Sequence, residues 1–290
     1  MLYGALEAGG TKMVCAIGDE NGKILEQKSI PTATPDETMP LIIEYFKDKD
    51  IKAIGVACFG PIDLDRDSDT YGFITSTPKT AWKNYNIVGR IKEDLGIPVG
   101  FDTDVNGSLL GEVTYGCAKG LSDVIYLTIG TGIGGGVMTN GKLLHGMLHP
   151  ELGHIHIGKR NYDKGESVCP YHDDCFEGLA SGPSIEKRWG EKAIKLAGKE
   201  EVWKLEADYI GTALVNFCMT LSPKKIILGG GVMHQLQLFP LIRKAFEEKN
   251  GGYINTALTH DLDNYIVPAS LNDDQGIMGA IKLAIDATEC

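Results

Sequence analysis

The 290-residue sequence predicts an α/β protein built from two similar lobes with a cleft between them. Three observations carry that expectation. Short apolar runs with strand character alternate with helix-like segments along the chain. The run GGTKMVCAIGDENGKIL (9–25) recurs in outline as IGTGIGGGVMTNGKLL (129–144). Each copy is a Gly-Thr turn, an apolar strand, an Asn-Gly-Lys turn and a second apolar strand, with spacings that differ by one residue. Finally, the length suffices for two cores, and 43% hydrophobic with 23% charged residues is ordinary globular composition.

The elements follow in order. Strands are expected at LYGALEAG, KMVCAIGD and KILEQKSI, separated by GGT and DENG turns. TPDET is a helix-start pattern and opens a helix at about 36–49. The strand KAIGVACFG comes next, then a loop, a helix around 85–95, the strand PVGFDTD and a helix over roughly 105–115. After the repeat, KKIILGGG is a further strand flanked by helical segments. No linker rich in Pro, Gly or Ser marks a boundary, so the division rests on pattern.

Charge and targeting signals exclude several roles. A net charge of −11 disfavours nucleic acid and anionic membranes as partners. The opening MLYGALEAGGTK lacks the basic and apolar regions of a signal peptide, and no apolar run reaches about 18 residues, so no membrane span is expected. The seven cysteines are odd in number. Cys15, Cys58, Cys117 and Cys218 sit among apolar neighbours and read as core residues of a chain in a reducing cytoplasm.

Three glycine clusters follow β-rich runs: EAGGTK (7–12), IGTGIGGG (129–136) and LGGGVM (228–233). Bare backbone N–H groups at such turns can approach a phosphate closely. Neither a Walker pattern nor a strand-to-helix GxGxxG is present. The first two clusters are hairpin turns, one per lobe, suited to gripping a polyphosphate from two sides. The third reads either as tight packing or as a platform for a nucleoside.

CPYHDDC (169–175) together with HPELGHIHIG (149–158) supplies a candidate metal set, His154, Cys169, His172 and Cys175, with His156 or His149 as alternatives to His172. Four N and S donors with no vacant position suit structural, tetrahedral Zn²⁺. Asp173 and Asp174 are hard oxygen donors and fit less well beside thiolates. No HExxH pattern is present for a catalytic zinc. In VGFDTDVNGSLLGE (99–112), Asp102 and Asp104 lie at a strand-to-helix junction, where a carboxylate serves either as a helix-start charge or as a general base. Glu151 and Glu177 are carboxylates, each able to accept two hydroxyl hydrogen bonds.

The order EAGGTK, GVACFGPID, FDTDVNGSLLGE, IGTGIGGG, HPELGHI, the Cys/His cluster and LGGG resembles the ROK family of bacterial sugar kinases, and within it the fructokinases, over essentially the whole chain. The resemblance implies a duplicated actin-like (ribonuclease H-like) two-lobed ATPase fold with a central cleft. It also implies transfer of the ATP γ-phosphoryl group to a hexose, fructose first, with mannose, glucose and N-acetylhexosamines as alternatives. Asp104 is then the base. Gly60, Pro61, Thr103, Asp104, Glu151, His154 and Glu177 form the sugar pocket, with Thr80 and Trp82 as further contacts.

Gly9, Gly10, Thr11 and Lys12 take one side of the ATP phosphates, and Gly130, Thr131 and Gly132 the other. Gly229, Gly230 and Gly231 take the nucleoside. Glu7, where the family commonly has Asp, and Asp104 approach Mg²⁺ through water. Thr103 stands where many glucokinases of the family have a sugar-binding Asn, which puts glucose in doubt and is compatible with a fructose-type pocket. The family's zinc loop usually reads CxCGxxGC; here His172 replaces one Cys.

The implied lobes are 1–117, with the sugar and phosphate contacts, and 118–290, with the ATP and zinc sites. A helix at about 273–287 packs back on the first lobe. A homodimer is the implied assembly. The resemblance also extends to repressors with an N-terminal helix-turn-helix and to a non-catalytic sugar sensor. A first strand starting near Leu2 and an acidic charge argue against the former, and the retained Asp104 and both hairpins against the latter.

Overall fold

The structure is a computed structural model that describes residues 1–289. Cys290, the end of the expected second lobe, lies outside the described residues. The chain forms two compact units. The first comprises Met1–Gly120, Leu143–Pro150 and the segment from Ser270 onward; the second comprises Leu121–Lys142 and Glu151–Ala269.

In the first unit, β1 (Leu2–Ala8), β2 (Lys12–Asp19) and β3 (Ile24–Pro31) form an antiparallel meander. The helix α1 (Pro35–Phe46) follows, then β4 (Ile54–Cys58), the short pair β5 (Phe73–Ile74) and β6 (Tyr85–Asn86), the helix α2 (Ile87–Leu95), β7 (Val99–Thr103) and α3 (Asp104–Thr114). The sheet order is β3-β2-β1-β4-β7, with β4 parallel to both β1 and β7.

Helix starts are chemically marked. Thr34 and Glu37 make a capping box before α1, with Pro35 in its first turn. Asn86 accepts from Gly89 N at 2.7 Å to start α2. Alternate residues of β1 and β2 face opposite sides. Leu6, Ala8, Met13 and Cys15 join one core with Met39, Ile42, Phe46, Ile87 and Ile91. Tyr3, Ala5, Val14 and Ala16 face the other side and meet Ile277, Ala280, Ile281 and Ala284.

In the second unit, β8 (Val124–Ile129) and β9 (Ile133–Thr139) form a hairpin extended by β10 (Lys142–Leu143). Then come α4 (Phe176–Ala180), α5 (Gly182–Trp189), the 22-residue α6 (Glu200–Leu221), β11 (Lys225–Gly229), α7 (Leu238–Asn250), α8 (Leu262–Tyr265) and β12 (Ile266–Pro268). The sheet order is β10-β9-β8-β11-β12, with β11 parallel to β8 and β12. The two sheets therefore share one order and one set of strand directions, as the internal repeat predicts. The chain ends in α9 (Gln275–Thr288), whose Ile277, Ala280, Ile281 and Ala284 are those that cover the small-residue face of the first sheet.

Two details differ from the sequence reading. Leu143–Pro150, expected within the second lobe, belongs to the first unit, because His145 bonds Asp102 and His149 packs on the Gly60–Ile62 loop. Cys117 is only half-buried, and its thiol donates to the Glu112 carboxylate rather than filling a core.

Candidate active site

The first glycine cluster is the β1–β2 turn. Gly9 N donates to Lys12 O at 3.0 Å, and the Thr32 hydroxyl donates to Gly9 O at 2.7 Å, which shapes the loop holding Gly10 and Thr11. Glu7 precedes this turn on β1. Burial, the charge of Asp104 and, more weakly, those of Asp274 and Asp273 push its carboxyl up to about 7, against the pull of Lys12. The first unit thus places Asp104, Asp273 and Asp274 within electrostatic reach of Glu7.

Asp104 is the first residue of α3, and its Oδ1 accepts from Val105 N at 2.9 Å. A helix N-terminus favours the ionised carboxylate, which suits a base. Asp102, read from the sequence as a brace, is 3% exposed. Its Oδ1 accepts from Thr103 N and Asn106 Nδ2, both at 2.7 Å, and its Oδ2 meets His145 Nε2 at 2.9 Å. Gly60 and Pro61, joined by a cis peptide, lie on the loop after β4.

Two expected sugar contacts have other work. Thr103 is 2% exposed and caps α3, its hydroxyl accepting from Asn106 N at 3.1 Å. Trp82 is 1% exposed, donates from Nε1 to Ala33 O at 2.7 Å and packs edge-on against Phe59 and Tyr85. An indole so enclosed is a core residue, and its sequence neighbours gave no warning of that. Thr80 stays exposed at the start of the same 3-10 turn.

In the second unit, Gly130–Gly132 forms the β8–β9 turn, with Gly130 N donating to Gly132 O at 2.9 Å and Gly130 O accepting from Gly182 N at 2.7 Å. Thr131 is exposed at its tip. Glu177 accepts from Ile133 N at 2.8 Å, and a Cβ on Gly132 would stand 2.7 Å from its carboxylate. Glu177 therefore touches the glycine hairpin as well as lying near Glu151. Burial raises the Glu151 carboxyl; His154 lowers it and Glu177 raises it further. The LGGG run closes β11 beside this hairpin. Gly230 has φ +90°, and a Cβ there would meet Ile129 N and O at 2.6 Å, so only glycine fits. Gly229 is packed under Tyr126, whereas Gly231 is open.

The structure brings His154, Cys169, His172 and Cys175 together, with one donor atom from each within 4.8 Å of the others. Cys169 Sγ lies 3.8 Å from His154 Nδ1 and 3.6 Å from His172 Nδ1; Cys175 Sγ lies 3.8 Å from His154 Nδ1. Bonds of about 2.0–2.3 Å in a tetrahedron need donor separations close to these, so the set fits Zn²⁺. His156 instead pairs with Asp174, and His149 sits in the first unit, which leaves His172 as the fourth donor. Backbone pairing joins the two segments: Phe176 N donates to Ile155 O at 2.9 Å and Ile157 N to Asp174 O at 3.1 Å. Cys175 Sγ also caps α4, the helix that carries Glu177.

Sequence reasoning missed His145 and passed over His149 except as a zinc alternative. Their i, i+4 spacing within HGMLH was the available signal.

Comparison with known proteins bears on the family and the fold. The ROK family model matches residues 3–287. A relative from Bacillus subtilis (strain 168) is 49% identical over 289 residues, 99% of this chain and 97% of its own. The fructokinase of Pediococcus pentosaceus is 45% identical over 284 residues, covering 98% of each chain. Among solved structures, the ROK hexokinase from Thermus thermophilus superposes with a TM-score of 0.82 at 25% identity, over 100% of this chain and 99% of that one. The repeated sheet order is that of the actin-like ATPase fold, and this chain belongs to the ROK family.

Proposed function

We propose that this chain phosphorylates fructose, transferring the γ-phosphoryl group of ATP to the 6-hydroxyl to give fructose 6-phosphate and ADP. The observation that supports this most is whole-length similarity to relatives named fructokinase. Asp104 takes the hydroxyl proton as the new P–O bond forms, because a neutral alcohol is a weak nucleophile. Its place at the first position of α3 puts the carboxylate where the helix N-terminus stabilises negative charge.

Gly9, Gly10, Thr11 and Lys12 hold phosphate in one unit, and Gly130, Thr131 and Gly132 in the other. Gly229, Gly230 and Gly231 face the nucleoside. Gly60, Pro61, Glu151, His154 and Glu177 orient the sugar, with Thr80 as an exposed flanking contact. Thr103, buried as a cap, shapes this pocket through the backbone of α3.

The oxygen donors of Glu7 and Asp104 fit Mg²⁺ reached through water, and the burial-raised Glu7 carboxyl is a group that gains from a nearby cation. Bound Mg²⁺ supplies neutralisation of phosphate charge. His154, Cys169, His172 and Cys175 would hold a structural Zn²⁺ that ties the Glu151–His154 segment to the Cys175–Glu177 turn. No disulfide joins the cysteines among the described residues, in keeping with the cytoplasmic setting proposed. A homodimer follows from the family resemblance, and light scattering on the purified protein tests it. A coupled ADP-release assay over fructose, mannose, glucose and N-acetylhexosamines tests the substrate. Fructose should give the highest kcat/KM. Turnover of another hexose with none of fructose refutes the substrate, and ADP release with no sugar in the panel refutes the kinase.

A further inference from the structure

The segment HGMLH (145–149) has no part in the functions assigned above, yet it supplies two contacts inside the first unit. Asp102 is a nearly buried carboxylate, and such a group is retained only with its oxygens satisfied. Of the three partners described above, Thr103 N and the Asn106 amide belong to the opening of α3 itself. His145 alone among these comes from another segment, its Nε2 lying 2.9 Å from Asp102 Oδ2. The hydrogen bond to Asp102 draws the His145 pKa upward against its partial burial, which makes the contact charge-assisted. Four residues on, His149 Nε2 accepts from Ile62 N at 3.4 Å and would lie 3.1 Å from a Cβ on Gly60. One short segment therefore supports both the Gly60–Pro61 loop and the turn that begins with Asp104, just before the chain reaches Glu151.

We propose that His145 is a positioning residue for phosphoryl transfer: through Asp102 it holds the first turn of α3, and so the Asp104 carboxylate, in one orientation. The inference rests on the reading of Asp104 as the general base. Asp104 takes its direction from the backbone of 103–105, to which Asp102 is bonded at Thr103 N. A tilt of that turn moves the carboxylate relative to the sugar hydroxyl, and displacements of about 1 Å in such sites can cost roughly 10²-fold in rate. The His145 side chain is 39% exposed, so replacing it opens no core.

The test uses the full-length protein with its metal content verified, and compares wild type, His145→Leu, His145→Gln, Asp102→Asn, the double variant His145→Leu/Asp102→Asn, and Asp104→Asn. Steady-state kcat, KM for fructose and for ATP, and Tm are read for each. His145→Leu should lower kcat on the order of 10-fold, with KM for ATP and Tm near wild type. His145→Gln, whose side-chain N–H can donate to Asp102, should recover most of the loss. The double variant should be no slower than Asp102→Asn alone, because the two side chains act as one unit. Wild-type kcat in His145→Leu, equal loss in the Gln and Leu variants, or additive losses in the double variant would each overturn the inference. If His145→Leu proves unstable, the Gln variant and the double variant against Asp102→Asn decide. Near-normal turnover by Asp104→Asn sinks the general-base reading instead, independently of His145.

Discussion

The two units are one frame put to different uses. Each has three antiparallel strands followed by two parallel ones, and each turns its first hairpin on Gly and Thr. Glu7 stands one residue from the end of β1, where the equivalent place on β8 is Thr128. The first unit follows its last sheet strand with α3 and Asp104, and it concentrates carboxylates near the hairpin. The second ends its last sheet strand at Pro268, followed in sequence by Ala269 and Ser270 where the first has Asp104. Its insertion comes instead after β9 and β10 and carries the Cys/His set. A sheet order can thus be kept while the acid proposed as base and the Cys/His set proposed to hold metal stand on different copies of it.

That division can be broken one side at a time. The largest effect is expected in the first unit: Asp104→Asn should lower kcat by roughly 10²–10⁴-fold. Its circular dichroism and Tm should stay close to wild type, since the amide still fits the helix start; activity near wild type would remove the distinction between the units. Next, Cys175→Ser should strip the bound metal, seen by elemental analysis, and raise KM for fructose on the order of 10-fold. Its kcat at saturating sugar should fall far less than in Asp104→Asn. An equal collapse of kcat would show that the second unit's cluster acts in the chemistry and not in holding Glu151 and Glu177.

A third test concerns pH. Glu206 on α6 is fully enclosed beside Arg188 and Asp163, and burial holds its carboxyl well above the ordinary range. Its native form is therefore neutral, whereas the unfolded chain ionises it once pH passes about 4.5. The stability it contributes is full below that pH and is lost as pH rises toward the native value. Glu206→Gln should consequently gain Tm over wild type by more at pH 8 than at pH 5, and thermal melts at the two pH values check this. The smallest effect belongs to Thr103→Ala, which removes the α3 cap at a cost of about 1 kcal/mol in chemical unfolding. A KM change for fructose without loss of stability would return Thr103 to direct sugar contact.

Much of the candidate site was legible because its residues are near in sequence or repeat a pattern. The Gly-Thr hairpins announce themselves by turn chemistry, Asp104 by a strand-to-helix junction, and Cys169, His172 and Cys175 by three-residue steps. The burial of Trp82 and Thr103 was not legible, because a side chain's enclosure depends on elements far along the chain. For Trp82 those are Ala33, Phe59 and Tyr85; for Thr103, the fold of the β7–α3 junction.

Local sequence thus determined the elements, the duplication and the types of donor available, since backbone propensity and side-chain chemistry are properties of short stretches. Only the tertiary structure decided which donors meet. It selected His172 over His149 and His156, and returned Leu143–Pro150 to the first unit. It also set His145 against Asp102 across 43 residues of sequence. Those choices depend on distances between segments that the packing of two cores brings together, and no local pattern encodes such distances.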